Sequence, residues 1–233
     1  MTQPILILCA HGTKDPEGQA VTLGVAQQVR EALGVDVVLA YVDVQEPTID
    51  SVVDSIPVSK TGFAAIVVPF LLAGGYHVHV DIARAVRDRP DVVAAPALGP
   101  DKRLMSILGD RIKQADVHST ATLVLAPAGS SDPRSQADTE ATLDALRLRW
   151  DGPVRVGYAS GIEPTAEAAV RSARAHGEAD ADGEVAVVSY LLAPGFFQDS
   201  LRRAGADRVT APLAPDPRII DVIADRYRGA GGA

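Results

Sequence analysis

Long basic runs, paired cysteines and long apolar runs are all missing from this sequence, and each absence removes a class of function. Twenty-two Lys and Arg stand against thirty Asp and Glu, for a net charge of −8, and no basic run is longer than two residues. Nucleic acid and anionic membrane surfaces both require concentrated positive charge, so neither is expected as a partner. Cys9 is the single cysteine. That excludes an internal disulfide framework and an iron–sulfur cluster held only by the protein's own cysteines. No apolar stretch approaches the roughly 18 to 20 residues that span a bilayer. Met1-Thr2-Gln3-Pro4 brings no basic residue ahead of the first apolar run, so a secretion signal is not expected and a cytoplasmic location is. Aromatics supply 4% of residues while 47% are hydrophobic, so small and β-branched aliphatics must build the core. Five histidines are left as the scarce, chemically versatile side chains.

Short apolar runs alternate with helical patterns. Ile5–Ala10 has no polar alternation and reads as a strand buried on both faces, ending at His11-Gly12-Thr13. Val21, Val25, Val29 and Leu33 recur every fourth position in the next segment, with Asp15 and Pro16 suited to its N-cap and first turn and Gly34 to its stop. Strands are expected at Val37–Val42, Ala64–Leu72 and Val92–Ala95. Helices are expected at about Thr48–Ser55, Val80–Arg87 and Asp101–Ala115. Strands joined by helix-length crossovers imply βαβ units and a parallel sheet flanked by helices.

The second half repeats the first. Leu8–Pro16 aligns with Leu125–Pro133 at an offset of 117, and at the same offset Tyr41 meets Tyr158 and Glu46-Pro47-Thr48 meets Glu163-Pro164-Thr165. Phe70–Gly75 then aligns with Tyr190–Gly195 at an offset of 120. Three matches in one order indicate a duplicated domain. The predicted architecture is α/β: two tandem homologous domains, 1–116 and 117–233, each a small parallel sheet flanked by helices.

Ligands of parallel α/β sheets sit beyond the carboxyl ends of the strands. The first copy places His11, Asp43 and His77 there, after its first three strands; the second places Ala128, Ser160 and Phe197. Backbone punctuation is kept while every titratable group is lost, which predicts one working site, in the first copy. Two imidazoles and a carboxylate suit a borderline divalent ion such as Co²⁺, Ni²⁺, Fe²⁺ or Zn²⁺, and suit proton removal near neutral pH. His79 shares a face with His77 in extended chain but points away from it in a helix. His118 and His176 read as structural, the latter suited to a helix C-terminus, and Cys9 as a core residue. Gly74 and Gly75 are read as allowing a sharp turn beside a ligand.

Ala10-His11-Gly12-Thr13-Lys14-Asp15-Pro16, the stretch from Tyr41-Val42-Asp43 to Glu46-Pro47, and Val68–Ile82 with its Gly74-Gly75-Tyr76-His77-Val78-His79 core together resemble the class II tetrapyrrole chelatases, most nearly the CbiX/SirB-type sirohydrochlorin chelatases in their two-domain form. The resemblance implies an enzyme that inserts Fe²⁺ or Co²⁺, with Ni²⁺ a further candidate, into sirohydrochlorin for sirohaem or cobalamin biosynthesis. The metal is a substrate, and no organic cofactor is implied. It further implies that His11 and His77 are the metal-inserting residues. The family usually has glutamate where this chain has Asp43, one methylene shorter, so Asp43 is expected in a supporting role. The histidine-rich stretch and the cluster-binding cysteines of some longer members are missing. A carboxylate-rich substrate would be received by the backbone and side chains of Gly12, Thr13 and Lys14, and by Gly74, Gly75 and Tyr76. Two other readings are compatible with these residue types: a non-catalytic tetrapyrrole or metal carrier, and a phosphoryl-transfer enzyme with a nucleophilic histidine. The last lacks an arginine next to His11, where Ala10 stands. One chain with two copies can replace a homodimer of single domains, so a monomer is expected.

Overall fold

Runs such as Ile5–Ala10 and Ala65–Phe70 are too short and too uniformly apolar for an amphipathic helix, and they form strands covered on both faces. The computed structural model describes residues 3–175 and 183–231; His176 lies outside the described residues. In chain order the elements are β1 (Ile5–Ala10), α1 (Pro16–Leu33), β2 (Val37–Tyr41), α2 (Ile49–Ser55), β3 (Ala65–Phe70), a π-helical turn (His77–Ile82), α3 (Ala83–Val86), β4 (Val92–Ala94) and α4 (Lys102–Gln114). The second series follows as β5 (Thr122–Pro127), α5 (Pro133–Arg147), β6 (Val154–Val156), α6 (Ala166–Ala175), β7 (Val185–Tyr190), α7 (Phe196–Arg202), β8 (Arg208–Val209) and α8 (Pro217–Gly229). Among these, no helix is long and apolar enough to cross a membrane.

Each series makes one four-stranded, all-parallel sheet, ordered β2-β1-β3-β4 and β6-β5-β7-β8. In the first, Ala10 is in register with both Tyr41 and Phe70, so the chain leaves the sheet at His11 from a central strand. Leu6 to Cys9 and Ala65 to Val68 are wholly buried. Burial pushes the Cys9 thiol up to about 12, as a core thiol requires. Helix α1 starts and stops as its sequence predicts. The Asp15 side chain accepts from the N–H groups of Glu17 and Gly18, Pro16 opens the first turn, and Gly34 closes the helix in the left-handed region with its N–H on Arg30 O.

The compact units do not coincide with 1–116 and 117–233. One comprises Met1–Gly99 with Pro215–Ala233, the other Pro100–Ala214. In the first unit α8 packs on β3 and α1; in the second α4 packs on β7 and α5. The reason lies in the stripes the two helices carry. Leu104, Met105, Ile107, Leu108 and Ile112 of α4 are buried, and so are Ile219, Ile220, Val222, Ile223 and Tyr227 at the matching places of α8. The two stripes match position for position, so a repeat boundary read from sequence does not specify which helix goes where.

Within the first unit α8 is also clamped by polar contacts. Arg226 donates from Nε to Ala97 O and from Nη2 to Leu98 O, both at 2.8 Å, and the Tyr227 hydroxyl donates to Pro4 O at 2.6 Å. Arg111 does the same in the second unit, reaching Pro212 O and Leu213 O at 2.9 Å each.

Candidate active site

Three loops leave the carboxyl ends of adjacent strands β1, β2 and β3. The first two are tied at the backbone, with Val42 N–H on Ala10 O and Asp43 N–H on His11 O. Gly12 follows at a φ of +97°, and a Cβ there would overlap the carbonyl oxygen of Asp43. Only glycine lets these two loops approach so closely. Val44, a β-branched residue at a φ of +61°, holds a strained conformation on the opposite loop, with its N–H on Asp43 Oδ1 at 2.8 Å.

The third loop ends in the π-helical turn. Ala83 N–H reaches back five residues to Val78 O, and the wider turn starts at His77 rather than at Val80, where sequence periodicity places the helix. His77 is thereby brought beside His11: the ring centroids are 4.9 Å apart and the planes nearly perpendicular. The two imidazoles singled out from sequence thus meet at one point.

Both rings present Nδ1 to an acceptor. His77 Nδ1 lies 2.8 Å from Asp81 Oδ2, and His11 Nδ1 lies 3.3 Å from Gly12 O. A carboxylate or carbonyl oxygen can only accept, so each Nδ1 carries a hydrogen, and the neutral form of each ring is then the Nδ1–H tautomer. Asp81 is a residue that sequence reasoning missed. Its signal was its spacing, four residues after His77, which counts only if the helix is begun at His77.

The remaining expected residues divide. Asp43 is exposed and its carboxylate is engaged by the Val44 N–H. Among the described residues no three His, Cys, Asp or Glu side chains are grouped to hold a metal ion, so Asp43 does not join the imidazoles as a third ligand. Lys14 is exposed. The Thr13 N–H, expected as a carboxylate donor, instead donates to Gln45 Oε1 at 2.8 Å, and the first turn of α1 is capped by Asp15. These amides are therefore spent on the fold. Gly74 and Gly75 are buried, and neither has a positive φ. Tyr76 is 56% exposed, its ring edge-on to His77 at 5.9 Å. His79 is exposed and two residues along a helical turn from His77, so the two do not share a face.

The second copy shows the same frame with the chemistry removed. Ser160 N–H bonds Ala128 O, as Asp43 bonds His11, and Gly129 has a φ of +103° against the Ser160 carbonyl. Ala128 and Phe197, in the places of His11 and His77, pack instead against an apolar cluster that includes Leu201 and Ala204.

A duplicated parallel α/β protein with a paired-imidazole site at the strand ends of one copy is the class that fold and site define. The CbiX family model matches the chain twice, over residues 5–115 and 122–230, and the chain belongs to that family. Its fold is that of SirB from Bacillus subtilis, solved with Fe³⁺, at a TM-score of 0.77 and 20% identity, with 99% of this chain and 96% of that one covered. A sirohydrochlorin chelatase SirB from Bacillus subtilis subspecies spizizenii, solved in complex with cobalt, gives 0.74 at 20% identity, covering 99% and 95%. DR2241 from Deinococcus radiodurans, a multi-domain protein with structural similarity to chelatases, gives 0.66 at 19% identity, covering 97% of this chain and 54% of that one. No match was found among curated proteins.

Proposed function

We propose that this chain is a sirohydrochlorin metal chelatase, inserting a divalent ion into the macrocycle at His11 and His77. The observation that carries the reading is the pair of imidazoles 4.9 Å apart at adjacent strand ends, in a CbiX-family chain whose second copy has lost both. Metal insertion breaks two pyrrole N–H bonds, releases two protons and forms metal–nitrogen bonds; no electrons are transferred. In its neutral form an imidazole bonded at Nδ1 carries an Nε2 lone pair, which suits both tasks. Two such imidazoles hold a borderline ion without satisfying its coordination, and either can accept a pyrrole proton once the ion has passed to the ring. Asp43 supports the positive charge from the adjoining loop. The exposed Tyr76 ring offers the macrocycle a flat apolar contact, and the exposed Lys14 meets its carboxylates.

Iron and cobalt are the metals this reading favours, because the two SirB structures hold Fe³⁺ and cobalt and because imidazole donors take both; Ni²⁺ fits the same donors. The protein is inferred to act as a monomer in the cytoplasm, and sedimentation as a stable dimer would refute the first half of that.

The test is the absorbance change of sirohydrochlorin on metallation. His11→Ala and His77→Ala should each lower turnover by about a hundredfold or more, the range expected for loss of a proton-transferring group. A variant at full rate would refute the assignment. Turnover beyond one equivalent per chain separates an enzyme from a carrier.

A further inference from the structure

We propose that Asp81 is the positioning residue of His77, and that Arg84 and Asp50 hold Asp81 in turn. The inference rests on the functional reading above for what His77 does, but on geometry alone for how its ring is set.

His77 and Asp81 stand one turn apart on the π-helical segment, with Nδ1 to Oδ2 at 2.8 Å. The His77 side chain is 34% exposed and that of Asp81 only 14%, so the acceptor is the more sheltered of the two. Its other oxygen faces Arg84 Nη1 at 3.4 Å. Arg84 in turn donates from Nη2 to Asp50 Oδ2 at 2.9 Å and from Nε to Asp50 Oδ1 at 3.4 Å, linking the turn to the start of α2. Hydrogen bonding to Asp50 is the main reason that the Arg84 guanidinium is held charged even more firmly than usual. The chain His77–Asp81–Arg84–Asp50 therefore fixes a carboxylate from both sides. That carboxylate fixes which ring nitrogen of His77 carries the hydrogen and which way the ring faces. The Nδ1 of His11 faces a backbone carbonyl, Gly12 O, instead of a carboxylate.

The second copy argues that this chain serves the histidine and not the fold. In the place of His77 stands Phe197; four residues on is Leu201, and three further Ala204. Leu201 and Ala204 are buried in the apolar cluster of the second sheet, which folds with the same strand order without any of the three polar groups. The caps Asp15 and Asp132 and the tight glycines Gly12 and Gly129 serve the backbone in both copies, and both copies keep them.

Two variants test this in the full chain. Asp81→Leu copies the second copy, and Asp81→Asn keeps the shape while losing the charge. An asparagine can turn either its oxygen or its amide to Nδ1, so it no longer dictates the tautomer. Long-range ¹H–¹⁵N spectra of the metal-free protein should show His77 as a single Nδ1–H tautomer in wild type and as a mixture in both variants, with the His11 signals unmoved. Co²⁺ affinity and turnover should fall roughly 10- to 100-fold, as when outer partners of a metal-binding histidine are removed. If Asp81→Leu fails to fold, Asp81→Asn decides alone. An unchanged His77 tautomer, or a changed one with Co²⁺ affinity and turnover intact, overturns the proposal. A wild-type protein inactive on sirohydrochlorin overturns the functional reading instead, and the spectra and the Co²⁺ titration still decide the role of Asp81.

Discussion

Gly12 and Gly34 both lie at positive φ, +97° and +66°, yet they are not equivalent. Around Gly34 there is open space, so Gly34→Ala should cost about 1 to 2 kcal/mol, the price of a left-handed alanine alone. At Gly12 a Cβ also meets the Asp43 backbone, so Gly12→Ala should cost about 3 kcal/mol or more and displace His11 and Asp43 together. Urea unfolding of the two variants checks the order; equal costs would mean that the loops can part freely. His11, His77 and the lost groups at Ala128 and Phe197 were legible in sequence because the duplication sets one copy against the other. The pairing of His77 with Asp81 was not, because it depends on where a helix begins, and Val80 opened the apolar pattern. The spending of the Thr13 amide on Gln45 was equally hidden, since the two are far apart in sequence and meet only across two loops.

Sequence periodicity sees strands and α-helices well and a π-helical turn poorly, because one widened turn contains too few residues to show a period. Hydrogen bonds between connections are invisible to it as well, and an ion pair in the α3–β4 connection uses them to pin the way into β3. Asp91 accepts from the Arg89 guanidinium at 3.0 and 3.1 Å and from Ser59 N–H at 2.8 Å, while Arg89 also donates to Val53 O at the end of α2. The Arg89 hydrogen bonds first, and the Ser59 amide next, lower the Asp91 carboxyl from 3.8 to about 2. A folded value below the unfolded one stabilises the fold fully above the unfolded value, and this contribution is lost as pH falls through the folded one. Asp91→Asn should therefore be less stable than wild type above about pH 4, and the difference should close as the pH approaches 2. Thermal unfolding of both proteins across that range measures it, and a gap that stays constant with pH would show that the charge of Asp91 is not what matters.

At the scale of the molecule, duplication explains two sheets but not the placing of their last helices. A repeat read along the chain assigns α4 to the first copy and α8 to the second, and the compact units assign them the other way round. The consequence is that the sheet bearing His11 and His77 depends on residues near the far end of the sequence. Tyr227 is wholly buried there, with its hydroxyl on Pro4 O just ahead of β1. Tyr227→Ala leaves a cavity against the first sheet and an unpaired carbonyl, and should cost about 3 to 5 kcal/mol, as large aromatic truncations do. The loss should fall unevenly. Amide protection should drop in β1 and β3, while β5, β7 and the indole of Trp150, which donates to Ala121 O in the second unit, should keep theirs. Chelation should weaken at temperatures where the first unit opens and recover on cooling. Protection lost first from β5 and β7 would mean that α8 supports the second sheet after all, and the site would then owe its stability to its own copy alone.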